Sequence, residues 1–298
     1  MMNRIKKIVK NGKVFLLLIF ITLLVVYCKK PLVSPDRIKG VFTEGDLKRI
    51  EINDDRWNNT FETAVKLETQ EIAEPKLTEP GVQSIRVKAL HNGAWVVFIL
   101  SWDDPTRDLV AQLGRFSDSA AIQFPATSGD LPDDAMGGPP DAASSVLIHQ
   151  WKSVWQEASL GKLKGIKSFY PNTWSDLYIF EMVKEGSKDE MEKVYTTSVA
   201  SQNPLAHHGT PVRDLEALGF SSLEYSSEQT SQGYGKWEKG KWTVVIRRPL
   251  VREQGFLQEG KMQYAAFAVW DGSHGEVGAR KMRSIWIPLQ LLAKEKAK

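Results

Sequence analysis

Cysteine is almost absent from this sequence, since Cys28 is the only one among 298 residues. One thiol excludes an intrachain disulfide framework, a thiolate zinc site and a cysteine-ligated iron–sulfur cluster. A covalently attached c-type haem is also excluded, because the chain has no Cys-x-x-Cys-His run. The chain further lacks the Gly-x-Ser-x-Gly, His-Glu-x-x-His and Gly-x-x-x-x-Gly-Lys-Ser/Thr motifs. The common signatures of serine hydrolases, zinc proteases and P-loop proteins are therefore missing.

The body of the chain also lacks an excess of charge of either sign. The formal net charge is +3, with 39 basic and 36 acidic residues. Five of the bases lie in the first 27 residues, which carry no acid: Arg4, Lys6, Lys7, Lys10 and Lys13. Without them, 34 bases face 36 acids, a net charge of −2. This balance does not resemble the basic surface of a nucleic-acid-binding protein.

The longest apolar run, Val14–Tyr27, lies near the N-terminus behind the basic segment Met1–Lys13. Its 14 residues are fewer than the roughly 20 that a membrane-spanning helix needs, but they suit the core of a signal peptide. With Cys28 directly after it, the segment resembles a bacterial lipoprotein signal, which implies lipidation of Cys28. An uncleaved N-terminal anchor is the alternative. Both predict an exported chain that residues 1–28 tether at the periplasmic face of a membrane.

Strand patterns dominate the remaining sequence. Residues 29–50 contain prolines and mixed charge without periodicity, so we interpret them as a linker to a domain over 51–298. Ser84–Leu90 and Ala94–Leu100 flank an Asn-Gly pair, which predicts a β-hairpin. The other predicted strands are Ala120–Phe124, Ser145–Trp151, Tyr178–Val183, Trp242–Arg247, Gln263–Trp270 and Arg283–Pro288.

Helical patterns are few, and only Pro211–Leu218 and Leu289–Lys298 are predicted to be helices. Long loops rich in glycine, proline and polar residues are expected at Ser128–Asp141 and Ser198–Pro211. Many strands without a regular alternation of strand and helix favour an all-β fold. We therefore predict an antiparallel β-sandwich with short helices and long loops.

Few residues are candidates for chemistry, and none forms a catalytic set. His207 and His208 are adjacent, so their side chains point to opposite faces of an extended chain and make a weak metal site. Met136 is more unusual, because it lies in a loop of glycines and prolines with no helical face to complete. A thioether is a soft ligand for haem iron, and Gly137 would let the backbone approach a flat macrocycle. A simple loop anchor is the alternative role for Met136.

Several short motifs follow one another through the body of the chain. They are Trp57, Ala64–Leu67, Val87–Gly93, Ser101–Asp108, Ala121–Pro125, Met136–Gly137, His149–Lys152, Leu215–Phe220, Gly233–Trp237, Trp242–Val245, Phe267–Gly272 and Lys281–Trp286. In this order they resemble the haem b-binding gamma subunits of type II molybdenum enzymes in the dimethyl-sulfoxide-reductase superfamily. Those enzymes include ethylbenzene and dimethylsulfide dehydrogenases and selenate and chlorate reductases, with related subunits in nitrate and nitrite enzymes. The resemblance spans roughly residues 50–290.

The resemblance implies a DOMON-like β-sandwich that binds one non-covalent haem b. The family's axial ligands are a methionine and a lysine, which correspond to Met136 and Lys281 in this chain. Gly137, Trp270 and Ser284 are the neighbouring cofactor-binding residues that the resemblance implies. Lysine binds iron only as the neutral amine, so burial and coordination must lower its pKa.

The resemblance also implies that this chain catalyses no reaction itself. In the family, a molybdenum alpha subunit transforms the substrate and an iron–sulfur beta subunit relays electrons. The chain would exchange those electrons with a soluble cytochrome c or a quinone-linked carrier. Its near-neutral body predicts docking through contacts of mixed charge.

The ten tryptophans leave a second hypothesis open, a carbohydrate-binding surface lipoprotein with a Trp-lined β-sandwich. Indole rings serve equally in sugar platforms, cofactor pockets and ordinary cores. An exposed aromatic pair with acidic partners would favour carbohydrate binding. A buried slot beside Met136 and Lys281 would favour haem.

Overall fold

The structure, a computed structural model, describes residues 37–109, 114–127, 131–138, 145–162, 172, 210–219, 221–250 and 257–294. The N-terminal segment with Cys28, the predicted strand Tyr178–Val183, and both His207 and His208 lie outside the described residues. Within the ranges given, no helix has the length and apolar character needed to cross a membrane.

Strands account for nearly all of the regular structure in the described ranges. They are β1 (Ile38–Phe42), β2 (Thr63–Lys66), β3 (Glu68–Thr69), β4 (Ser84–His91), β5 (Trp95–Asp103), β6 (Ser119–Pro125), β7 (Val146–Lys152), β8 (Val212–Ala217), β9 (Glu224–Tyr225), β10 (Gln232–Trp237), β11 (Lys241–Pro249), β12 (Met262–Trp270), β13 (Met282–Arg283) and β14 (Ile287–Leu291). The helical segments are a 3-10 turn, Asp55–Asn59, and the helix α1, Ser153–Ser159. The predicted all-β class is confirmed.

The strands form two layers that share β12. One layer has the order β10-β11-β5-β4-β1-β14-β12, and the other continues as β12-β6-β7-β8-β9. The first half of β12 pairs with β14 and its second half pairs with β6, so the strand passes from one layer to the other. All these pairings are antiparallel except those of β1, which is parallel to both β4 and β14. The fold is thus an antiparallel β-sandwich with one parallel strand.

Large apolar side chains fill the space between the two layers. Phe98 on β5 packs against Phe124 on β6, with ring centroids 5.8 Å apart. Trp151 on β7 packs edge-on against Trp242 on β11 at 5.0 Å. Each such side chain contributes roughly 1.5–3 kcal/mol through burial, so these two pairs help to fix the layers face to face.

The β4–β5 hairpin forms where the Asn-Gly pair predicts it. Gly93 has a φ of +80°, a conformation that favours glycine. Oδ1 of Asn92 accepts hydrogen bonds from the backbone N–H groups of Ala94 at 3.0 Å and Trp95 at 2.8 Å. The side chain of Asn92 thus closes the turn.

Residues 38–50 are part of the sandwich, so the interpretation of 29–50 as a linker is wrong over that stretch. The strand β1 lies between β4 and β14 and pairs with both. Leu47 and Ile50 are 0% and 1% exposed. A five-residue strand gives too little periodicity to be separated from a linker by sequence pattern.

The two predicted helices are also wrong where the structure describes them. The segment Pro211–Leu218 contains β8, which pairs along its length with β7. The segment Leu289–Lys298 begins inside β14, which pairs with β1 and β12. Both segments are rich in good helix formers, but pairing with neighbouring strands outweighs that intrinsic preference.

The predicted strand Arg283–Pro288 is interrupted. Its first residue belongs to β13, and β14 begins at Ile287. Between them, the hydroxyl of Ser284 accepts from the N–H of Phe267 at 2.9 Å, and Nε1 of Trp286 donates to the carbonyl of Pro132 at 2.8 Å. These bonds turn the chain away from a continuous strand.

Candidate functional site

A cavity of about 290 Å³ lies on the outer face of the β12-β6-β7-β8 layer. Side chains alternate between the two faces of a strand, so the residues beneath the cavity are the ones that do not enter the core between the layers. These floor residues are mostly small or aliphatic: Ala121, Ile148, Leu215, Ala266 and Ala268. The small side chains leave room for a flat apolar group above the sheet.

Met136 lines this cavity from a strained position in its loop. Its φ of +58° is in the left-handed region, which costs a residue with a side chain about 1–3 kcal/mol and persists only where the surroundings impose it. Gly137 follows with a φ of +89°. The carbonyl of Met136 accepts from the N–H of Gly219 at 2.7 Å, which ties the loop to the end of β8.

Three further contacts fix the loop that carries Met136. Asp134 forms an ion pair with Arg283 at 2.7 Å. The carbonyl of Asp134 also accepts from Nε2 of Gln123, on β6, at 3.0 Å. The bond from Trp286 to the Pro132 carbonyl anchors the start of the loop. The loop is thus attached to the cavity floor and to the chain around β13.

Lys281 lies opposite Met136. Its Nζ is 3.9 Å from Sδ of Met136 and 5.4 Å from the ring centroid of Trp270. Burial, followed by repulsion from Arg283, lowers the pKa of Lys281 to about 8. Part of the side chain retains solvent-accessible surface, because it lines the cavity. A lysine in these surroundings gives up its proton more readily than a surface lysine does.

Two of the other residues implied by the resemblance, Trp270 and Ser284, line the same cavity. Trp270 is 8% exposed, and its Nε1 donates to the carbonyl of Gly278 at 3.0 Å. Ser284 lines the cavity, but its hydroxyl is bonded to the backbone of Phe267 and Ile285. Gly137 is adjacent to Met136 and supports its loop. The structure therefore brings together five residues that are up to 148 positions apart in the sequence.

The sequence profile described as ethylbenzene dehydrogenase matches residues 54–282, a range that includes both Met136 and Lys281. The chain belongs to the ethylbenzene dehydrogenase family. The predicted family is confirmed by this match, which covers well over half of the chain.

One relative of this family member is a protein of Haloferax mediterranei named as a respiratory nitrate reductase heme subunit. The two are 22% identical over 238 residues, which is 77% of this chain and 64% of the relative. The chain therefore spans less than two thirds of the relative's length.

Two solved structures with distant similarity are family 9 carbohydrate-binding modules from Caldicellulosiruptor kristjanssonii. The complex with cellotriose has a TM-score of 0.39 and 10% identity, and covers 87% of this chain and 95% of the module. The complex with glucose has a TM-score of 0.40 and 9% identity, and covers 88% and 100%. Similarity at this level adds nothing to the fold described above.

The residues of this ethylbenzene dehydrogenase family member fit a haem. Among the described residues, the partners found for the amine of Lys281 are a thioether and an indole face. A thioether is a weak hydrogen-bond acceptor, so the amine and the sulfur are both free to act as metal ligands. The apolar floor would suit the face of a macrocycle.

Several cavity residues of this family member were not predicted from the sequence. Gln70 and Ile72 form part of one rim, and Gln123 and Gln150 add amide groups to the floor. The structure itself marks β6 as part of a covered floor, since all seven of its residues, Ser119–Pro125, are buried. A strand of an antiparallel sandwich usually has one solvated face, so burial on both faces indicates a covered outer surface.

His149 points away from the cavity into the space between the layers. Its Nδ1 lies 2.6 Å from Oδ1 of Asp214, and its Nε2 lies 2.9 Å from Nη1 of Arg248. Arginine can only donate, so Nε2 accepts and the ring is neutral with its proton on Nδ1. Burial, followed by repulsion from Arg248, lowers the pKa of His149. Both nitrogens are thus used by protein partners.

Proposed function

We propose that this chain is a non-catalytic electron-transfer subunit that binds one haem b in the cavity between Met136 and Lys281. The observation that carries the proposal is the placement of Sδ and Nζ 3.9 Å apart beside Trp270, above a floor of small residues. Family membership supports the same function. The haem b type and the count of one rest on the fit of this cavity and on the absence from the sequence of an attachment motif for c-type haem.

Each named side chain has a distinct role in this proposal. Haem, when bound, supplies one-electron oxidation and reduction. Met136 offers a soft sulfur lone pair, and Lys281 offers the lone pair of its neutral amine. The anchored loop of Met136 and the buried floor hold both donors in place and keep water away from them. Trp270 shields the amine from solvent.

We further propose that the chain works within a larger enzyme. Its partners would be an iron–sulfur beta subunit and a molybdenum alpha subunit, with a soluble cytochrome c or a quinone-linked carrier on the other side. The name of the Haloferax relative, a heme subunit of a respiratory nitrate reductase, supports an assembly of this kind. The N-terminal sequence supports attachment at the periplasmic face of a membrane, through lipidated Cys28 or an uncleaved anchor.

Carbohydrate binding, the second hypothesis, finds no supporting observation in the part of the chain that the structure describes. No tryptophan there is exposed, so no pair of indole rings forms a surface platform. The buried ones are Trp57, Trp102, Trp151, Trp155, Trp242, Trp270 and Trp286. Trp95 and Trp237 are half-buried, and Trp174 lies outside the described residues.

The proposal is tested by isolating the tagged full-length chain from its native membranes under mild extraction. Co-purification of an iron–sulfur protein together with a molybdenum-containing subunit, identified by mass spectrometry and metal analysis, is the expected result. The same isolation with a tagged Met136→Ala chain is the control for contacts that depend on the haem. Repeated recovery of the chain alone would contradict the subunit function and leave a free-standing electron carrier.

A further inference from the structure

Three carboxylates from distant parts of the chain meet beside one end of the sandwich. One oxygen from each of Asp104, Asp118 and Asp271 lies within 4.8 Å of the other two. Asp104 follows β5, Asp118 precedes β6, and Asp271 follows β12, so three strand ends converge at this point. Asp104 and Asp118 are both 0% exposed. The proposed haem function uses none of these residues.

Only one oxygen of the Asp104 carboxylate makes hydrogen bonds of normal geometry within the protein. Its Oδ1 accepts from the N–H of Thr106 at 3.0 Å and from the Thr106 hydroxyl at 3.2 Å. Its Oδ2 is buried and makes no hydrogen bond of normal geometry, although the side chain of Trp102 approaches the same carboxylate. Buried polar atoms are almost always paired, so this poorly paired oxygen within a carboxylate cluster points to a further partner.

Hydrogen bonds hold Asp118 in a fixed orientation. Its Oδ2 accepts from Nε1 of Trp242 at 2.9 Å and from the N–H of Asp108 at 2.7 Å. Its Oδ1 accepts from the N–H of Gly272 at 2.9 Å. These donors leave Asp118 able to contribute further lone pairs, since an ionised carboxylate has about four acceptor sites.

Asp271 is held in a similar way by its own turn. Its Oδ1 accepts from the N–H of Ser273 at 2.9 Å and from the N–H of His274 at 3.2 Å. A further carboxylate, the buried Glu276, accepts from the N–H of Asp271 at 3.1 Å. The imidazole of His274 lies 3.5 Å from Glu276, and no lysine or arginine among the described residues forms an ion pair with these four acids.

The cluster is therefore short of positive charge. Like charges this close destabilise the fold unless a cation or protons neutralise them.

We propose that Asp104, Asp118 and Asp271 bind a calcium ion. The donors are all oxygens and include no thiolate or imidazole, which selects a hard cation. Calcium ligands lie about 2.3–2.6 Å from the ion, so oxygens that share one ion lie up to about 5 Å apart, as these do. Magnesium requires shorter metal–oxygen distances in a regular octahedron and keeps several of its waters. A site made of three closely spaced carboxylates therefore suits magnesium less well than calcium.

The calcium ion would connect this cluster to the cavity. Asp271 is the first residue after Trp270, which lies on the cavity wall, and it begins the segment that leads to Lys281. The N–H of its neighbour Gly272 donates to Asp118. A cation held by all three acids fixes the start of that segment against β5 and β6. Calcium binding here requires no haem, because every contact at the cluster is made by the protein alone.

The test is a calorimetric titration of the chelator-treated full-length chain with Ca²⁺ and, separately, with Mg²⁺. We expect stoichiometric Ca²⁺ binding, a rise of the midpoint of thermal unfolding by about 5–10 °C at saturating Ca²⁺, and a much weaker response to Mg²⁺. Asp104→Asn and Asp271→Asn keep the shape of the side chains and should each reduce the Ca²⁺ affinity at least tenfold. In chelator, Asp104→Asn should unfold at or above the parent temperature, because it removes repulsion.

The matched control is Asp103→Asn, which removes the adjacent acid, 79% exposed and paired with Arg86 outside the cluster. It should leave Ca²⁺ binding unchanged. Absence of Ca²⁺ binding by the parent chain, or unchanged binding by both Asp104→Asn and Asp271→Asn, would overturn the proposal. An equal response to Mg²⁺ would overturn the assignment to calcium. Haem content is measured on the same samples, so failure of the calcium site is distinguished from failure of haem binding.

Discussion

At the scale of single residues, Met136 and Lys281 carry the proposed haem site. Met136→Ala and Lys281→Ala should each abolish the low-spin visible spectrum of the haem protein, because each removes one axial ligand. Absorption spectra and reduction potentials of the purified variants provide the measurement. Met262→Ala and Lys236→Ala are matched controls, since Met262 is 41% exposed on the opposite part of β12 and Lys236 is 61% exposed.

The controls should keep the parent spectrum. If Met136→Ala and Lys281→Ala also keep it, together with the parent potential, the ligand assignment is wrong. His274 would then be tested before His149, because both ring nitrogens of His149 are already bonded within the core.

The buried His149 should make stability depend on pH. Its pKa is lowered in the folded state by burial and by Arg248, so the unfolded chain takes up a proton near pH 6.5 and the folded chain does not. The contribution of His149 to the free energy of unfolding should therefore fall as pH drops below about 6.5, by up to about 1.4 kcal/mol per pH unit. Asp214, whose pKa is about 2, adds its own loss only below about pH 4.

Chemical denaturation between pH 4 and 8 measures this dependence. Between pH 6.5 and 4, the slope of the free energy of unfolding against pH should be lower in His149→Gln than in the parent chain by up to about 1.4 kcal/mol per pH unit, the equivalent of one proton. An identical slope in the parent and the variant would show that His149 titrates normally.

At the scale of elements, hairpins and long strands could be predicted from the sequence, but short strands and ligand-covering loops could not. The β4–β5 hairpin has a local code in Asn92–Gly93. β8 has none, because its leucine, glutamate and alanine residues also favour a helix, and only pairing with β7 decides between the two. The convergence of Met136 on Lys281 likewise depends on long-range contacts, which the family resemblance supplied and residue patterns did not.

The loop around Met136 is expected to control how tightly haem is held. Arg283→Gln removes the ion pair with Asp134, which is 11% exposed, and leaves a buried carboxylate without its partner. Because breaking a buried pair typically costs several kcal/mol, the rate of haem loss should rise by at least about tenfold. Transfer of haem to excess apomyoglobin measures that rate.

Arg86→Gln is the control for this experiment, because it breaks the exposed pair with Asp103, and such pairs contribute at most about 1 kcal/mol. Its rate of haem loss should match that of the parent. A parental rate in Arg283→Gln would show that the loop is held without the ion pair.

At the scale of the whole molecule, the N-terminal sequence predicts attachment to a membrane. Cells grown with labelled palmitate should incorporate label into the parent chain, and Cys28→Ala should abolish incorporation while leaving the visible spectrum unchanged. Fractionation of the same cells then reports location. If the parent chain stays unlabelled but remains in membranes, an uncleaved anchor attaches it and the lipidation hypothesis is wrong.

The central claim, one haem b in this chain, is tested most directly by the pyridine haemochrome spectrum of the purified protein after expression with sufficient haem. We predict a b-type spectrum, one haem per chain, and complete extraction of the pigment into acidic organic solvent, because the sequence has no Cys-x-x-Cys-His run for covalent attachment. A colourless protein, or pigment that stays with the polypeptide after extraction, would contradict the claim.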